Sequence, residues 1–228
     1  LASRQAAKSG RVFEEILSKC WISTTAAGPY PLDAMGRLAW EHVLVADRMA
    51  ALLGIRRATH GDTFVFGVRC DDEACRASYE WELDLAAYPI KPLPPESLQS
   101  FAAGNAFKSK FASDGHEVTF RLMTGAAAQA AAKHVGRGDD DDALINSLLA
   151  RITGIDGVEG NDRRGFLEKR QFGDLTDLLS QFDAADGGVE TTLIVTCTKC
   201  GGDQEIQLPF GGKEFWLPAR RKTTTPAR

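Results

Sequence analysis

The chain of 228 residues is long enough for one large domain or two small ones, and 43% hydrophobic with 25% charged residues is an ordinary globular composition. A formal net charge of −4 disfavours a broad electrostatic interaction with nucleic acid. No segment approaches the roughly 20 apolar residues of a membrane span. The first residues lack the apolar core of a signal peptide, so we expect none.

The N-terminal part of the chain is predicted to be helical. Residues 1–30 are interpreted as an N-terminal helical segment, because the apolar residues of "RVFEEILSKCWI" recur at the spacing of one helix face. Residues 33–61 are predicted to be helical next, with Asp33 as a candidate N-cap. Gly36 and Gly54 are candidate breaks that would divide this stretch into two helices.

A β-hairpin is predicted over residues 62–86. The segment "GDTFVFGVRCDDEACRASYEWELDL" alternates apolar and polar residues on either side of two cysteines. Alternation with a period of two is typical of strands that bury one face and expose the other. The tip of this hairpin would carry Cys70 and Cys75.

The middle of the chain is predicted to mix loop, strand and helix. We interpret the Pro-rich "AYPIKPLPPESL" as an extended connection and "GHEVTFRLMTG" as a strand. Helices are predicted in "GAAAQAAAKHVGRG", "DDDDALINSLLARITGIDGV" and "RGFLEKRQFGDLTDLLSQFDAADGGV". The acidic run at residues 139–142 precedes the second of them, where the helix dipole favours carboxylates, so we interpret it as capping rather than calcium binding.

A second hairpin is predicted over residues 188–210. "GGVETTLIVTCTKCGGDQEIQLPF" again places two strands around a cysteine pair, Cys197 and Cys200. The fold class expected is therefore α+β, with helices packed beside two β-hairpins. Residues 31–218 are predicted to form a single α+β domain, and residues 219–228 a flexible basic tail.

The two hairpin tips together offer four thiolates. Cys70, Cys75, Cys197 and Cys200 are predicted to face one another and to bind one structural zinc ion, which would join residues 62–86 to residues 188–210. Four thiolates close the coordination shell, so this ion would hold the fold together and would not catalyse a reaction. Such sites contribute on the order of 10 kcal/mol to folding.

Other interpretations of the cysteines stay open at this point. The four residues could be unlinked buried thiols, or they could form two local disulfides or a disulfide between the hairpins. The fifth cysteine, Cys20, lies in an amphipathic helical context and is interpreted as a small core residue.

Enzyme signatures are missing from the sequence. None of the four histidines, His42, His60, His116 and His134, lies in an H-E-x-x-H motif, and each is interpreted as a surface, turn or helix-face residue. There is no G-x-S-x-G motif, no P-loop and no dinucleotide-binding fingerprint. We therefore expect a protein that is not an enzyme and has no small-molecule substrate.

The order of several segments resembles a known family. The "ADR…LL…R…G" segment at residues 46–61, "LLARI…IDG" at residues 148–157, and the Cys-x2-Cys-Gly sequence that precedes "LPF" and "EFW" occur in this order. Together they are similar to the T4-type bacteriophage baseplate hub and hub assembly protein family of contractile-tail phages. The resemblance covers roughly residues 35–218.

The resemblance implies a structural or assembly component of the phage baseplate, at the junction of hub and wedge. It implies other tail and baseplate proteins as partners and the virion as location, with assembly in the cytoplasm of the host bacterium. The family's structural zinc would fall on the four paired cysteines. The alternative is a zinc-ribbon protein that binds nucleic acid or acts as an adaptor, but the acidic residues of "CDDEAC" would repel phosphate.

Overall fold

The computed structural model of the chain describes residues 12–132, 143–208, 210 and 213–216. Within them the helices are α1 (Val12–Cys20), α2 (Val45–His60), α3 (Pro95–Ala102), α4 (Gly125–Ala132), α5 (Ala143–Arg151), α6 (Arg163–Glu168), α7 (Phe172–Ala185) and α8 (Lys213–Trp216). The strands are β1 (Thr63–Arg69), β2 (Ser78–Asp84), β3 (Ile90–Lys91), β4 (Phe107–Lys110), β5 (Glu117–Phe120), β6 (Ile152–Ile155), β7 (Gly188–Val189), β8 (Thr192–Thr196) and β9 (Asp203–Gln207). Helices beside small antiparallel sheets confirm the predicted α+β class.

The chain groups into two compact units, each made of two separate stretches. The first unit contains Leu1–Ala51 and Ile90–Gly188, and the second contains Leu52–Pro89 and Val189–Arg228. The single domain predicted over residues 31–218 stays a prediction, because compact packing does not by itself establish separate folding. Among the described residues, no helix has both the length and the apolar character needed to cross a membrane.

The first unit is built around a three-stranded antiparallel sheet with the order β4–β5–β6. Phe107 lies opposite Phe120 in the first strand pair, and Val118 lies opposite Ile155 in the second. All four side chains belong to the core of this unit, because alternation along each strand directs them to the same covered face.

Helix α7 packs on this sheet through one apolar stripe. Leu175, Leu178 and Phe182 are buried and recur at helix spacing. The ring of Phe182 stacks on the ring of Phe120 with centroids 4.0 Å apart. The hydrophobic periodicity of this helix therefore matches the covered face of the sheet.

Helix α5 ends at a buried arginine. The guanidinium of Arg151 pairs with Asp183 at 2.7 Å and Asp186 at 3.0 Å, and it donates to the carbonyl oxygen of Phe182 at 3.1 Å. The predicted continuation of this helix beyond Arg151 is wrong, because residues Ile152–Ile155 extend and pair with β5. Strand pairing here replaces the helical hydrogen bonds that local propensity favours.

The helix predicted over residues 33–61 is wrong in its first part. The carboxylate of Asp33 accepts hydrogen bonds from the backbone N–H groups of Met35 at 2.8 Å and Arg37 at 2.9 Å, which closes a turn and does not start a helix. Helix α2 begins only twelve residues later, and Gly54 lies inside it without dividing it.

Some predictions concern the termini and the acidic run. Helix α1 lies within the predicted N-terminal helical segment, but the interpretation of Cys20 as a core residue is wrong: it is exposed, because α1 buries Leu17 instead. His134, the acidic run at residues 139–142 and the tail at residues 219–228 lie outside the described residues.

The second unit consists largely of two hairpins and a group of aromatic side chains that pack with them. Strand β1 pairs with β2 and strand β8 pairs with β9, both antiparallel. The ring of Phe215 meets the rings of Phe64 and Phe210 edge to face, each with centroids 5.0 Å apart. The hydroxyl of Tyr88 donates to the carbonyl oxygen of Glu190 at 2.6 Å and so ties the two stretches of this unit together.

Candidate metal centre

The first cysteine pair lies at the tip of the β1–β2 hairpin. The backbone N–H of Cys70 donates to the carbonyl oxygen of Ala77 at 2.8 Å, which continues the strand pairing by one step. The N–H groups of Cys75 and Arg76 both donate to the carbonyl oxygen of Asp72, at 3.0 and 2.9 Å. Arg76 has a φ of +46°, a left-handed conformation that reverses the chain after the second thiol.

The second cysteine pair lies at the tip of the β8–β9 hairpin, where a glycine in the left-handed conformation reverses the chain. The N–H of Cys197 donates to the carbonyl oxygen of Gly202 at 2.8 Å, and the N–H of Gly201 donates to the carbonyl oxygen of Cys197 at 2.9 Å. Gly201 has a φ of +74°. It therefore occupies the left-handed position that Arg76 fills in the first tip, at lower conformational cost.

The two tips bring four sulfur atoms together. The Sγ atoms of Cys70, Cys75, Cys197 and Cys200 all lie within 4.8 Å of one another. Two close contacts join the two hairpins: the Sγ of Cys70 lies 3.7 Å from that of Cys200, and the Sγ of Cys75 lies 3.9 Å from that of Cys197. A zinc ion bound tetrahedrally at about 2.3 Å holds its sulfurs about 3.8 Å apart, so the cluster has the dimensions of a four-thiolate metal site.

The structure does not join these cysteines as disulfides. All four are free, and the sulfur separations exceed the roughly 2.05 Å of a disulfide bond. Cys70 and Cys197 are buried, whereas Cys200 is exposed. An ion bound here would therefore be reachable from one side for loading, while its other side would be covered by protein.

The backbone tunes the protonation of the thiols. The N–H groups of Cys200 and Lys199 lower the pKa of Cys197 to about 7, and the N–H of Lys199 lies 3.4 Å from its sulfur. Burial raises the pKa of Cys70 to about 12. Cys197 is thus prepared as a thiolate near neutral pH, whereas Cys70 would lose its proton when a cation binds.

A side-chain amide also joins the two hairpins. Gln204 on β9 is buried, and its oxygen accepts from the N–H of Asp71 at 3.0 Å while its nitrogen donates to the carbonyl oxygen of Arg69 at 3.0 Å. These two backbone groups flank Cys70. The amide therefore substitutes for a strand partner and holds the first tip against the second hairpin without any contribution from a metal.

Replacing Gln204 with alanine is expected to destabilise the second unit by about 2 kcal/mol, because the N–H of Asp71 and the carbonyl oxygen of Arg69 lose their partner. The matched control is Gln207→Ala, which removes an exposed amide with one hydrogen bond, to Thr192 at 2.8 Å, and should change stability by less than about 0.5 kcal/mol. The free energies of unfolding of both variants are measured by urea unfolding, with hydrogen exchange of peptides from residues 52–89 as the readout. Equal effects of the two variants would contradict the bridging role.

The histidines do not join the cluster. His42, His60 and His116 are exposed. Among the residues that the structure describes, the four cysteines are the one group of three or more His, Cys, Asp or Glu side chains close enough to share an ion. The four candidate ligands named from the sequence thus all lie in one cluster.

Comparison with known proteins gave no match to any family model, curated protein or solved structure. The site is accordingly interpreted from its own residues and geometry.

Sequence reasoning missed the residues that support the cluster. In "DQEIQ" the inward positions of β9 are Gln204 and Ile206, and an amide at an inward strand position is a signal that a buried polar contact exists. Tyr79 and Arg56 also lie in this unit with buried polar groups. The partners of Arg56 are backbone carbonyl oxygens and the Tyr79 hydroxyl has no partner among the described residues, so the sequence contains no local pattern for either.

Proposed function

We propose that the four-cysteine cluster binds a structural Zn²⁺ ion. The single observation that carries the proposal is the convergence of four sulfurs from two separate hairpins to within 4.8 Å. A tetrahedral set of four thiolates suits Zn²⁺ or an iron–sulfur centre, and Zn²⁺ is the ion of knuckles with this short cysteine spacing. Metal analysis of the purified protein separates the two, and zinc near one equivalent per chain is the expected result.

We propose further that the protein has a structural role and is not an enzyme. Four sulfurs fill the coordination shell of a tetrahedral ion, so none of its positions is left for water or substrate. The ion would link residues 70–75 to residues 197–200 across more than a hundred residues of chain, which suits a rigid unit that presents surfaces to other proteins.

We propose that the biological setting is the baseplate of a contractile-tail bacteriophage, where the chain acts as a structural or assembly component at the junction of hub and wedge. The support is the resemblance in the order and spacing of sequence segments across residues 35–218 and not a match to a known protein. The second hairpin, with "CTKCGG" and "LPF", contributes both to that similarity and to the thiol cluster. Partners would be other tail and baseplate proteins, and the location would be the virion after assembly in the host cytoplasm.

A nucleic-acid-binding zinc ribbon is the weaker alternative. Asp71, Asp72 and Glu73 are all exposed at the first tip. Phosphate would be repelled at the surface that zinc knuckles of that class turn toward nucleic acid. Tight, salt-dependent binding of the purified protein to single- or double-stranded DNA or RNA would favour this alternative over the baseplate.

The baseplate proposal predicts an assembly defect. Tails from a phage that lacks this chain are expected to have incomplete or missing baseplates in negative-stain electron microscopy, and expression of the intact chain in the host should restore them. The Cys20→Ser variant, altered outside the thiol cluster, should restore them equally well. Complete baseplates on tails without the chain would overturn the proposal.

A further inference from the structure

The hydroxyl group of Tyr79 is buried beside the thiol cluster. Tyr79 lies opposite Val68 in the β1–β2 pairing, and Val68 and Cys70 are both buried on the inner face of β1. Opposite residues of an antiparallel pair project to the same face, so the Tyr79 ring shares the face that carries the Cys70 thiol. The phenol therefore lies on the metal-binding side of the hairpin.

This hydroxyl has no hydrogen-bond partner among the described residues, although its oxygen is fully covered. Buried polar groups are nearly always paired, because an unpaired one loses its hydrogen bonds to water without replacement. Phenylalanine would fill the same space without that cost. An unpaired phenol at this place points to an acceptor that becomes available only when the site performs its function.

The groups near the Tyr79 hydroxyl include thiols that can accept a hydrogen bond. Burial, followed by the charges of Cys197, Cys70 and Cys200, raises the pKa of Tyr79, with a smaller contribution from Asp71. A phenol is a hydrogen-bond donor at neutral pH, and Tyr79 lies on the face of the hairpin that carries the Cys70 thiol. Thiolates are acceptors, and a dication with four thiolates keeps a net charge of −2 that nearby donors stabilise.

We propose that the Tyr79 hydroxyl donates a hydrogen bond to a metal-bound thiolate of the four-cysteine centre and so acts as a positioning residue that stabilises the loaded site. It would join the N–H of Lys199, which already approaches the sulfur of Cys197. This inference rests on the proposed metal site and adds to it a side chain that no cysteine spacing reveals.

The test uses Co²⁺ as a spectroscopic probe and Zn²⁺ in competition, on the full-length Tyr79→Phe variant. Loss of an outer hydrogen bond to a ligand typically weakens metal binding about 10- to 100-fold, and we expect a loss in that range. The sulfur-to-cobalt charge-transfer band should shift to longer wavelength, because a thiolate without its hydrogen bond gives up electron density more readily. Unchanged affinity together with an unchanged band would overturn the inference.

Two further variants separate this role from simpler ones. Trp81→Phe trims the next inward side chain of β2 and should leave the charge-transfer band in place, so a band shift equal to that of Tyr79→Phe would mean that packing alone is responsible. Asp71→Asn tests the other nearby acceptor. If the effect of Tyr79→Phe disappears in the Asp71→Asn background, the phenol acts through that carboxylate and the inference is wrong.

The same measurements separate a failure of the metal site from a failure of the role of Tyr79. If the wild-type protein binds neither Co²⁺ nor Zn²⁺, the metal site and the role of Tyr79 both fail. If the wild type binds one ion and Tyr79→Phe is indistinguishable from it, only the role of Tyr79 fails.

Discussion

Replacing Cys197 with serine is expected to abolish stoichiometric metal binding and to unfold much of the second unit. Cys197 is buried, and backbone N–H groups lower its pKa to about 7, which favours the thiolate that binds a cation. A serine hydroxyl is a poor ligand for Zn²⁺, so the ion would keep three sulfurs. A structural zinc ion supplies on the order of 10 kcal/mol of binding free energy, and losing most of it exceeds what a small unit can tolerate.

The measurement combines metal analysis with thermal unfolding in the presence and absence of a strong chelator. The melting temperature of the wild-type protein should fall when the chelator removes the metal. The Cys197→Ser variant should already have the lower melting temperature, and the chelator should not change it. Cys20→Ser is the matched control, because Cys20 is an exposed thiol outside the cluster and its loss should change neither metal content nor melting temperature. A Cys197→Ser protein that keeps one metal ion per chain would refute the four-thiolate centre.

The largest metal-independent effect is expected at Arg56. This arginine is 2% exposed and donates to three backbone carbonyl oxygens: those of Phe215 at 2.7 Å, Gly61 at 3.1 Å and Thr63 at 3.4 Å. Its guanidinium also lies 5.9 Å from the ring centroid of Phe64. The guanidinium therefore links the end of its own helix and the start of β1 to Phe215, which is 159 residues away in sequence.

The Arg56→Ala variant should lose about 3–5 kcal/mol of the free energy of unfolding, because it removes a buried charged donor and leaves its carbonyl acceptors without partners. Burial lowers the pKa of Arg56, but a guanidinium stays charged in proteins, so neutralisation would not relieve the loss. Arg56→Lys should recover only part of it, since one ammonium group cannot reach all three carbonyls in the same directions.

The adjacent Arg57 provides the control for this experiment. It forms a surface ion pair with Asp62 at 2.6 Å and is 40% exposed, so Arg57→Ala should cost less than about 1 kcal/mol. Urea unfolding with hydrogen exchange read on peptides from residues 52–89 reports on the unit that contains both arginines. Comparable losses for the two alanine variants would show that the buried contacts of Arg56 do not stabilise the unit.

The parts of the structure that were predictable from sequence are those decided over a few residues. In both cysteine hairpins, apolar and polar residues alternate along the strands, and the tip between the strands is short. The pairing of the two tips followed from the number of ligands that a metal requires. Helix α7 was visible from the spacing of its buried residues. In each of these segments, local propensity and tertiary packing favour the same conformation.

Two other segments depart from the helices that their periodicity predicts. The chain after Asp33 turns instead of forming a helix because the carboxylate bonds to two nearby N–H groups, and Ile152–Ile155 extends because β5 offers it an edge. Helical periodicity was present in both places and was overridden. Propensity differences of a few tenths of a kcal/mol per residue are smaller than the gain from completing a sheet.

The sequence by itself determined the class of fold, the four thiols and the hairpins that carry them, because these features follow from residue type and short-range spacing. Only the tertiary structure decided where the buried polar groups of the second unit lie: the amide of Gln204 at the first tip, the guanidinium of Arg56 among backbone carbonyl groups, and the covered hydroxyl of Tyr79. The physical reason is that Gln204 and Arg56 find partners on a separate stretch of chain, and the local sequence does not specify such a contact.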